Sequence, residues 1–385
     1  MEFIDLKAQQ KRIYSRIRER IDNVLNHCQF VMGPEIYELE QTLADFVGVR
    51  HCISVASGTD SLIMSLMAHD IGPGDEVITT PFTFIASAEA ISLVGATPVF
   101  VDIDEFTYNI DANLIASAVT ERTKAILAVN LYGNCADYDE IMAVSDKFCA
   151  SRKADGSTNG GNNRIVVIED AAQSFGSVYK NRKSCSLSTI GCTSFFPAKP
   201  LGGYGEGGAC FTNDSDLAER IRQLRNHGQE KKYQHSRIGL NGRMDTLQAA
   251  IILAKMEIFP EEIEARSTIA RYYTEKFNEI NSRMPNAVIT QRIMDYCTSI
   301  HAQFTIRIDN RDTVRRYLDD HGIPTAVHYP IPIHKQAAFS TVKANCPVSE
   351  NVAHEVLSLP MHAYLDVTDI DNITKVVADA LLACR

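Results

Sequence analysis

Apolar residues follow two rhythms along this chain. Over LKAQQKRIYSRIRERIDNVLNH and then EIYELEQTLADFVG they recur at helical spacing, which predicts two N-terminal helices. From residue 51 onward short β-rich runs alternate with helical stretches. HCISVAS leads to DSLIMSLMAH, DEVITT to TFIASAEAISLVG, and TPVFVDI to ANLIASAVT. KAILAVNLYG leads to YDEIMAVSDKFCAS, and RIVVIED to AAQSFG. Such β/α alternation predicts an α/β fold, a mostly parallel sheet with helices on both faces.

SRKADGSTNGGNN, residues 151–163, breaks the alternation. It is rich in Gly, Asn and Ser and reads as a surface loop on the face away from the strand tips. Further on, DTLQAAIILAKMEIF predicts a helix ending near Pro260, followed by the long polar helix EEIEARSTIARYYTEKFNEI. AQFTIRI, TVRRYLDDHG and TAVHYP read as strand, helix and strand, and VTDIDNITKVVADALLACR as a closing helix. The chain is thus expected to divide into a large domain over 1–258, and a linking helix with a smaller α+β domain over 259–385.

Composition narrows the class. With 385 residues, 45% of them hydrophobic and 22% charged, the chain is expected to form a sizeable soluble core. A net charge of −10 argues against general nucleic-acid binding, which calls for a basic patch. MEFIDLKAQQKRIYSRIRER lacks an apolar signal core, and no stretch is apolar enough to span a bilayer, so membrane insertion is not expected and the cytoplasm is the expected location. The ten cysteines are scattered without a CxxC pair, which reads as reduced thiols and not as a metal site or a disulfide framework.

The chemical signal starts with two residues. Asp170 ends the buried run RIVVIED, and Lys199 sits in SFFPAKPLGGYGEGG between Pro197 and Pro200. A lysine in a rigid glycine-lined loop suits a Schiff-base amine. An aspartate at a strand tip suits a protonated ring nitrogen, so the pair points to pyridoxal phosphate chemistry. The plain alternatives are a surface lysine in a turn and a helix-capping aspartate. Ser57, Gly58 and Thr59 of SGTDSL open a helix after a strand, where free N–H groups attract a phosphate, unless they form only a capping box with Asp60. Phe82 and Phe84 of TPFTFIAS offer rings to stack on a flat cofactor, or simply pack in the core. Gln173, three residues past Asp170, is placed on the same helical side to bond a ring hydroxyl.

SGTDSL, PFTF, VIEDAAQSFG, SFFPAK, GEGGACFTND and GLNGRMDTLQAAI occur in that order. Together they resemble the DegT/StrS-type nucleotide-sugar aminotransferases, of the aspartate-aminotransferase fold type I, over nearly the whole chain. The resemblance implies a mostly parallel seven-stranded sheet in the large domain and a small C-terminal α+β domain. It implies pyridoxal 5′-phosphate as cofactor, with the pyridoxamine form during turnover. Lys199 is then the Schiff-base lysine and proton shuttle, and Asp170 the partner of the ring nitrogen. Gln173 meets the phenolic oxygen and Phe84 stacks on the ring. Gly58, Thr59 and Ser194 hold the phosphate, and Asn241 reaches the phosphate of a second subunit, which implies a homodimer with shared active sites.

FIDLKAQQ, NHGQ, PTAVHYPIPIHKQ and LSLPMH resemble one branch of that family. Its members aminate UDP-2-acetamido-2-deoxy-3-oxo-glucuronate with L-glutamate on the way to bacterial surface polysaccharide (O-antigen). By that resemblance Arg243, His328 and Tyr329 line the substrate pocket, with His227 near it. A uronate and glutamate both carry carboxylates, which suit the bidentate fork of Arg243. The rival expectations are a 4-keto sugar as substrate and a non-catalytic regulator that binds the cofactor. A dehydratase of the same fold carries histidine at the position of Lys199.

Overall fold

The computed structural model describes residues 1–154 and 164–383, with side chains outside 150–154. Its central sheet contains β1 (His51–Val55), β2 (Glu76–Thr79), β3 (Thr97–Phe100), β4 (Thr123–Val129) and β5 (Val166–Asp170), together with β6 (Ile190–Ser194) and β7 (Gly208–Thr212). The order is β1-β7-β6-β5-β4-β2-β3. β2 pairs in parallel with β3 and β4, β4 with β5, and β5 with β6. β7 alone runs antiparallel, between β1 and β6. The mostly parallel seven-stranded sheet expected from the sequence is therefore present. β2 and β5 are buried at every residue, the mark of strands covered on both faces.

Two helices precede the sheet, α1 (Leu6–His27) and α2 (Pro34–Val47). The inward stripe of α1, Ile13 and Ile17, packs on Ile251 and Ala254 of α8 (Thr246–Met256). Between the strands lie α3 (Gly58–Ala68), α4 (Ala86–Leu93), α5 (Ala112–Ala118), α6 (Tyr138–Ala154) and α7 (Ser215–Arg225). Parallel strands all present their carboxyl ends at one edge, so the segments after β1, β2, β4, β5 and β6 converge there.

The C-terminal part begins with α9 (Phe259–Arg283). A second apolar core joins its Tyr273 and Phe277 to Phe304 of β8 (Phe304–Arg307), to Leu357 of β9 (Val356–Leu359), and to Val377 of α12 (Val367–Ala383). α10 (Arg311–Asp320) and α11 (Pro347–Glu355) complete this region. Asp102, just past β3, links it to the sheet. Its carboxylate accepts from Val348 N at 2.8 Å and from Ser349 N at 2.9 Å, capping α11 from a distance.

The structure corrects four local expectations. AAQSFG is a run of turns, not a helix: Ser174 N bonds Ala171 O, Ser177 N bonds Ser174 O, and Gly176 takes φ +102°. Gln173 therefore stands on a turn, not on a helical side. TAVHYP is not a strand; only Ala326 bridges, to Ser358, and the flanking Pro324 and Pro330 have no N–H to extend a ladder. β9 forms instead from VLSL, in the segment read only as a motif. Finally, residues 151–154 of the glycine-rich stretch continue α6, while 155–163 and Cys384 lie outside the described residues.

One buried charge on α8 gives a stability prediction. Lys255 is 1% exposed, and its Nζ has no hydrogen-bond partner among the described residues, lying 4.6 Å from the Tyr204 ring centre. Burial pushes its pKa down to about 8, against a smaller upward pull from Glu262. The folded state thus resists protonation, so the lysine costs stability below about pH 8, and the cost fades as pH rises toward the ordinary 10.5. Lys255→Met is expected to raise the unfolding free energy by roughly 1–3 kcal/mol at neutral pH. In urea titrations the gain should shrink at alkaline pH; a gain that does not change with pH would contradict this account.

Candidate active site at the carboxyl edge of the sheet

Asp170 is the last residue of β5, in the middle of the sheet, and is almost fully buried. Ser87 Oγ donates to its Oδ2 at 2.7 Å, and Ala172 N to its Oδ1 at 3.1 Å. Burial nevertheless pushes this carboxyl above its ordinary range, opposed by those two donors and by the positive charge of Lys199. Lys199 lies in the turn after β6, its N–H bonded to Phe196 O at 2.8 Å. Burial pushes its amine down, and Asp170 pulls the other way. A carboxyl and an amine, each disfavoured in its charged form, thus face the same space.

Around them the strand-end segments converge. Ser57 caps α3, accepting from Asp60 N at 3.0 Å, so one half of a capping box is present. Gly58 lies against Ser194 at the tip of β6. A Cβ at Gly58 would come within 2.6 Å of the Ser194 Cβ, so only glycine permits this approach. Thr59 follows on the first turn of α3, partly exposed. The two phenylalanines of TPFTF part ways: Phe82 is fully buried in the core, whereas Phe84 is 56% exposed, 6.1 Å from the Tyr329 ring. Gln173 accepts from Tyr132 N at 2.6 Å and donates to Tyr329 Oη at 3.1 Å.

His328 and Tyr329 are brought to this site by the segment between α10 and α11. Lys199 and Asp170 act on them electrostatically: Lys199 helps burial push the His328 pKa down to about 4, and Asp170 adds to the rise of the Tyr329 phenol. His328 is therefore a neutral imidazole at neutral pH. Arg243, Asn241 and His227 form a second group. Asn226 and Asn241 form a β-bridge, Arg243 Nη1 donates to Asn226 Oδ1 at 2.6 Å, and His227 N bonds Leu240 O. Gly242 O accepts from Ala56 N at 2.8 Å, which sets this group beside the entrance to SGTDSL. Asn241 and His227 are exposed, and among the described residues no hydrogen bond or ion pair joins this second group to Lys199.

A mostly parallel sheet with a buried aspartate and a half-buried lysine at its carboxyl edge fits an aminotransferase of the pyridoxal phosphate class. The chain belongs to the DegT/DnrJ/EryC1/StrS aminotransferase family, which matches residues 11–378. It is 52% identical over 373 residues to the UDP-2-acetamido-2-deoxy-3-oxo-D-glucuronate aminotransferase of Pseudomonas aeruginosa, covering 97% of this chain and 98% of that protein. The crystal structure of a DegT DnrJ EryC1 StrS aminotransferase from Brucella abortus superposes with a TM-score of 0.89 at 40% identity, covering 98% of each chain. That of NtdA from Bacillus subtilis with bound cofactor PMP gives 0.86 at 26% identity, covering 99% of this chain and 83% of that one. Pyridoxal phosphate is the cofactor. The site suits that group: Asp170 is a carboxyl raised for want of a stronger cation, Lys199 is an amine lowered toward its nucleophilic form, and Gly58 leaves room for a close approach.

Several residues here escaped sequence reasoning: Ser87 on Asp170, Tyr132 on Gln173, and Asn226 on Arg243. The pairs lie 83, 41 and 17 residues apart in the chain, and no motif spacing announces such a bond. Ser87→Ala is expected to cost about 1 kcal/mol of stability and to push the Asp170 carboxyl still higher. The carboxyl-carbon NMR titration of Asp170, assigned against Asp170→Asn, checks this; an unmoved titration would mean the Ser87 bond is unimportant to Asp170.

Proposed function

We propose that this enzyme moves the amino group of L-glutamate to the 3-keto carbon of UDP-2-acetamido-2-deoxy-3-oxo-glucuronate. The product is UDP-2-acetamido-3-amino-2,3-dideoxy-glucuronate, for bacterial surface polysaccharide. The full-length likeness to the Pseudomonas aeruginosa enzyme carries this substrate. Arg243 supports it as a cation for the carboxylates of donor and acceptor, with His328 and Tyr329 beside the reacting sugar.

When bound, pyridoxal phosphate supplies an aldehyde that takes up amines and a ring that draws electrons from the adjacent carbon. Asp170 keeps the ring nitrogen protonated; a cation there would also remove the penalty that burial imposes on its carboxylate. Lys199, with its lowered amine, takes the proton from the donor carbon and returns one at the sugar carbon. Gly58, Thr59 and Ser194 would hold the phosphate, with Phe84 offered to the ring and Gln173 to its hydroxyl. His227 stands at the rim of the substrate pocket.

The reading includes a homodimer in the cytoplasm, with Asn241 reaching the cofactor phosphate of the second subunit. Support comes from the exposure of Asn241 and of the apolar Phe30, Val31, Tyr37, Tyr233 and Ile238. No helix among the described residues is long and apolar enough to cross a membrane. Residues 259–385 are read as the small domain because the second apolar core draws on that part of the chain alone.

Two experiments test this. The protein loaded with cofactor should be yellow, and borohydride should fix the cofactor covalently on Lys199; a label on any other residue would sink the assignment. Supplied with glutamate and the 3-keto uronate, it should release 2-oxoglutarate and amino sugar in equal amounts. Amination of a 4-keto nucleotide sugar, with the 3-keto uronate left untouched, would overturn the substrate.

A further inference from the structure

His328 is held at Nδ1 and along its backbone by groups that no sequence motif announces. Its Nδ1 lies 2.9 Å from Ser358 Oγ, and Ser358 Oγ lies 2.8 Å from Thr305 Oγ1. The two hydroxyls meet because Thr305 and Ser358 are directly paired residues of the antiparallel strands β8 and β9, so their side chains stand on one face. Both residues are buried. The backbone is fixed as well: Ala326 exchanges N–H···O bonds of 3.1 and 2.8 Å with Ser358, and Tyr132 Oη donates to the His328 carbonyl. Phe3, from the N-terminal segment, lies 6.2 Å from the imidazole, and Tyr329 lies 5.6 Å away, edge-on.

The two hydroxyls are not needed for packing. A strand pair with apolar neighbours is served equally well by valine and alanine, and a buried hydroxyl is costly unless bonded. Here each satisfies the other, and the imidazole completes the chain. An imidazole free to turn about its ring axis presents either nitrogen to a ligand, in either tautomer. With Nδ1 engaged, only Nε2 remains to meet one.

We propose that Thr305 and Ser358 are positioning residues, whose hydroxyl relay fixes the His328 ring so that Nε2 alone faces the nucleotide sugar. This rests on the reading that His328 lies in the sugar pocket. It accounts for why a strand register in the C-terminal region matters to chemistry at the edge of the main sheet.

The test uses the holoenzyme and measures the two half-reactions separately. Ser358→Ala and Thr305→Val, each nearly isosteric, are expected to raise the KM for the keto sugar about ten-fold. The glutamate half-reaction, followed by loss of the yellow colour, should keep its rate. Thr305→Ser, which retains the hydroxyl, should restore the wild-type KM. His328→Gln separates the two layers of argument. If it raises the sugar KM while Ser358→Ala and Thr305→Val leave it unchanged, the relay is overturned and the pocket reading survives. If His328→Gln itself leaves the sugar KM unchanged, the pocket reading falls and the relay with it. Equal slowing of both half-reactions by Ser358→Ala and Thr305→Val would mark a merely structural role and also overturn the proposal.

Discussion

A buried carboxyl and a half-buried amine meet at the carboxyl edge of the sheet, and burial opposes the charged form of each. Their mutual attraction offsets only part of that cost. The other polar contacts of the site make sense around this constraint. Asp170 keeps two donors, Ser87 from α4 and the Ala172 amide, which partly compensate for lost water. Its raised carboxyl is a site waiting for a cation, and a protonated pyridine ring is a cation of the right kind. The lowered amine of Lys199 is in turn the form that attacks an aldehyde and carries a proton. Function here is stored as unfavourable solvation, at the expense of stability.

The C-terminal region contributes through one segment. Residues 326–329 leave β-pairing after a single bridge and cross to the main sheet, where Tyr132 and Gln173 receive them. Gln173 is thereby committed at both ends, its oxygen to Tyr132 N and its nitrogen to Tyr329 Oη. An incoming ring hydroxyl would have to share or displace the second bond. This gives Gln173 a joining role between the two parts of the chain, in addition to the one expected at the cofactor.

Local periodicity was a dependable guide where an element is long or wholly buried. α1 covers the stretch read as the first helix, and β5 ends at Asp170 as the run RIVVIED implied. It misled where turns and prolines intervene. AAQSFG has helix-forming alanines, yet a left-handed glycine and a relay of short turn bonds took it elsewhere. TAVHYP has β-branched and aromatic residues, yet the prolines on either side deprive it of a ladder. Lys199 and Asp170 stand out in the sequence because the chemistry proposed for them needs particular residue types in particular local settings. Ser87, Tyr132, Asn226, Thr305 and Ser358 do not, since a serine or tyrosine is ordinary until its partner is known.

The sequence by itself determined the β/α alternation, the α/β class, and the pair of ionisable residues proposed to carry the chemistry. These are properties of neighbours in the chain: period, capping and loop composition. Only the tertiary structure decided the antiparallel insertion of β7, the shift in the Asp170 and Lys199 ionisation, and the locking of His328 by two hydroxyls on paired strands. The physical reason is that desolvation and hydrogen bonding depend on what surrounds a group in space. Ser358 and His328 are 30 residues apart in the chain, and the Ala326–Ser358 bridge makes them partners.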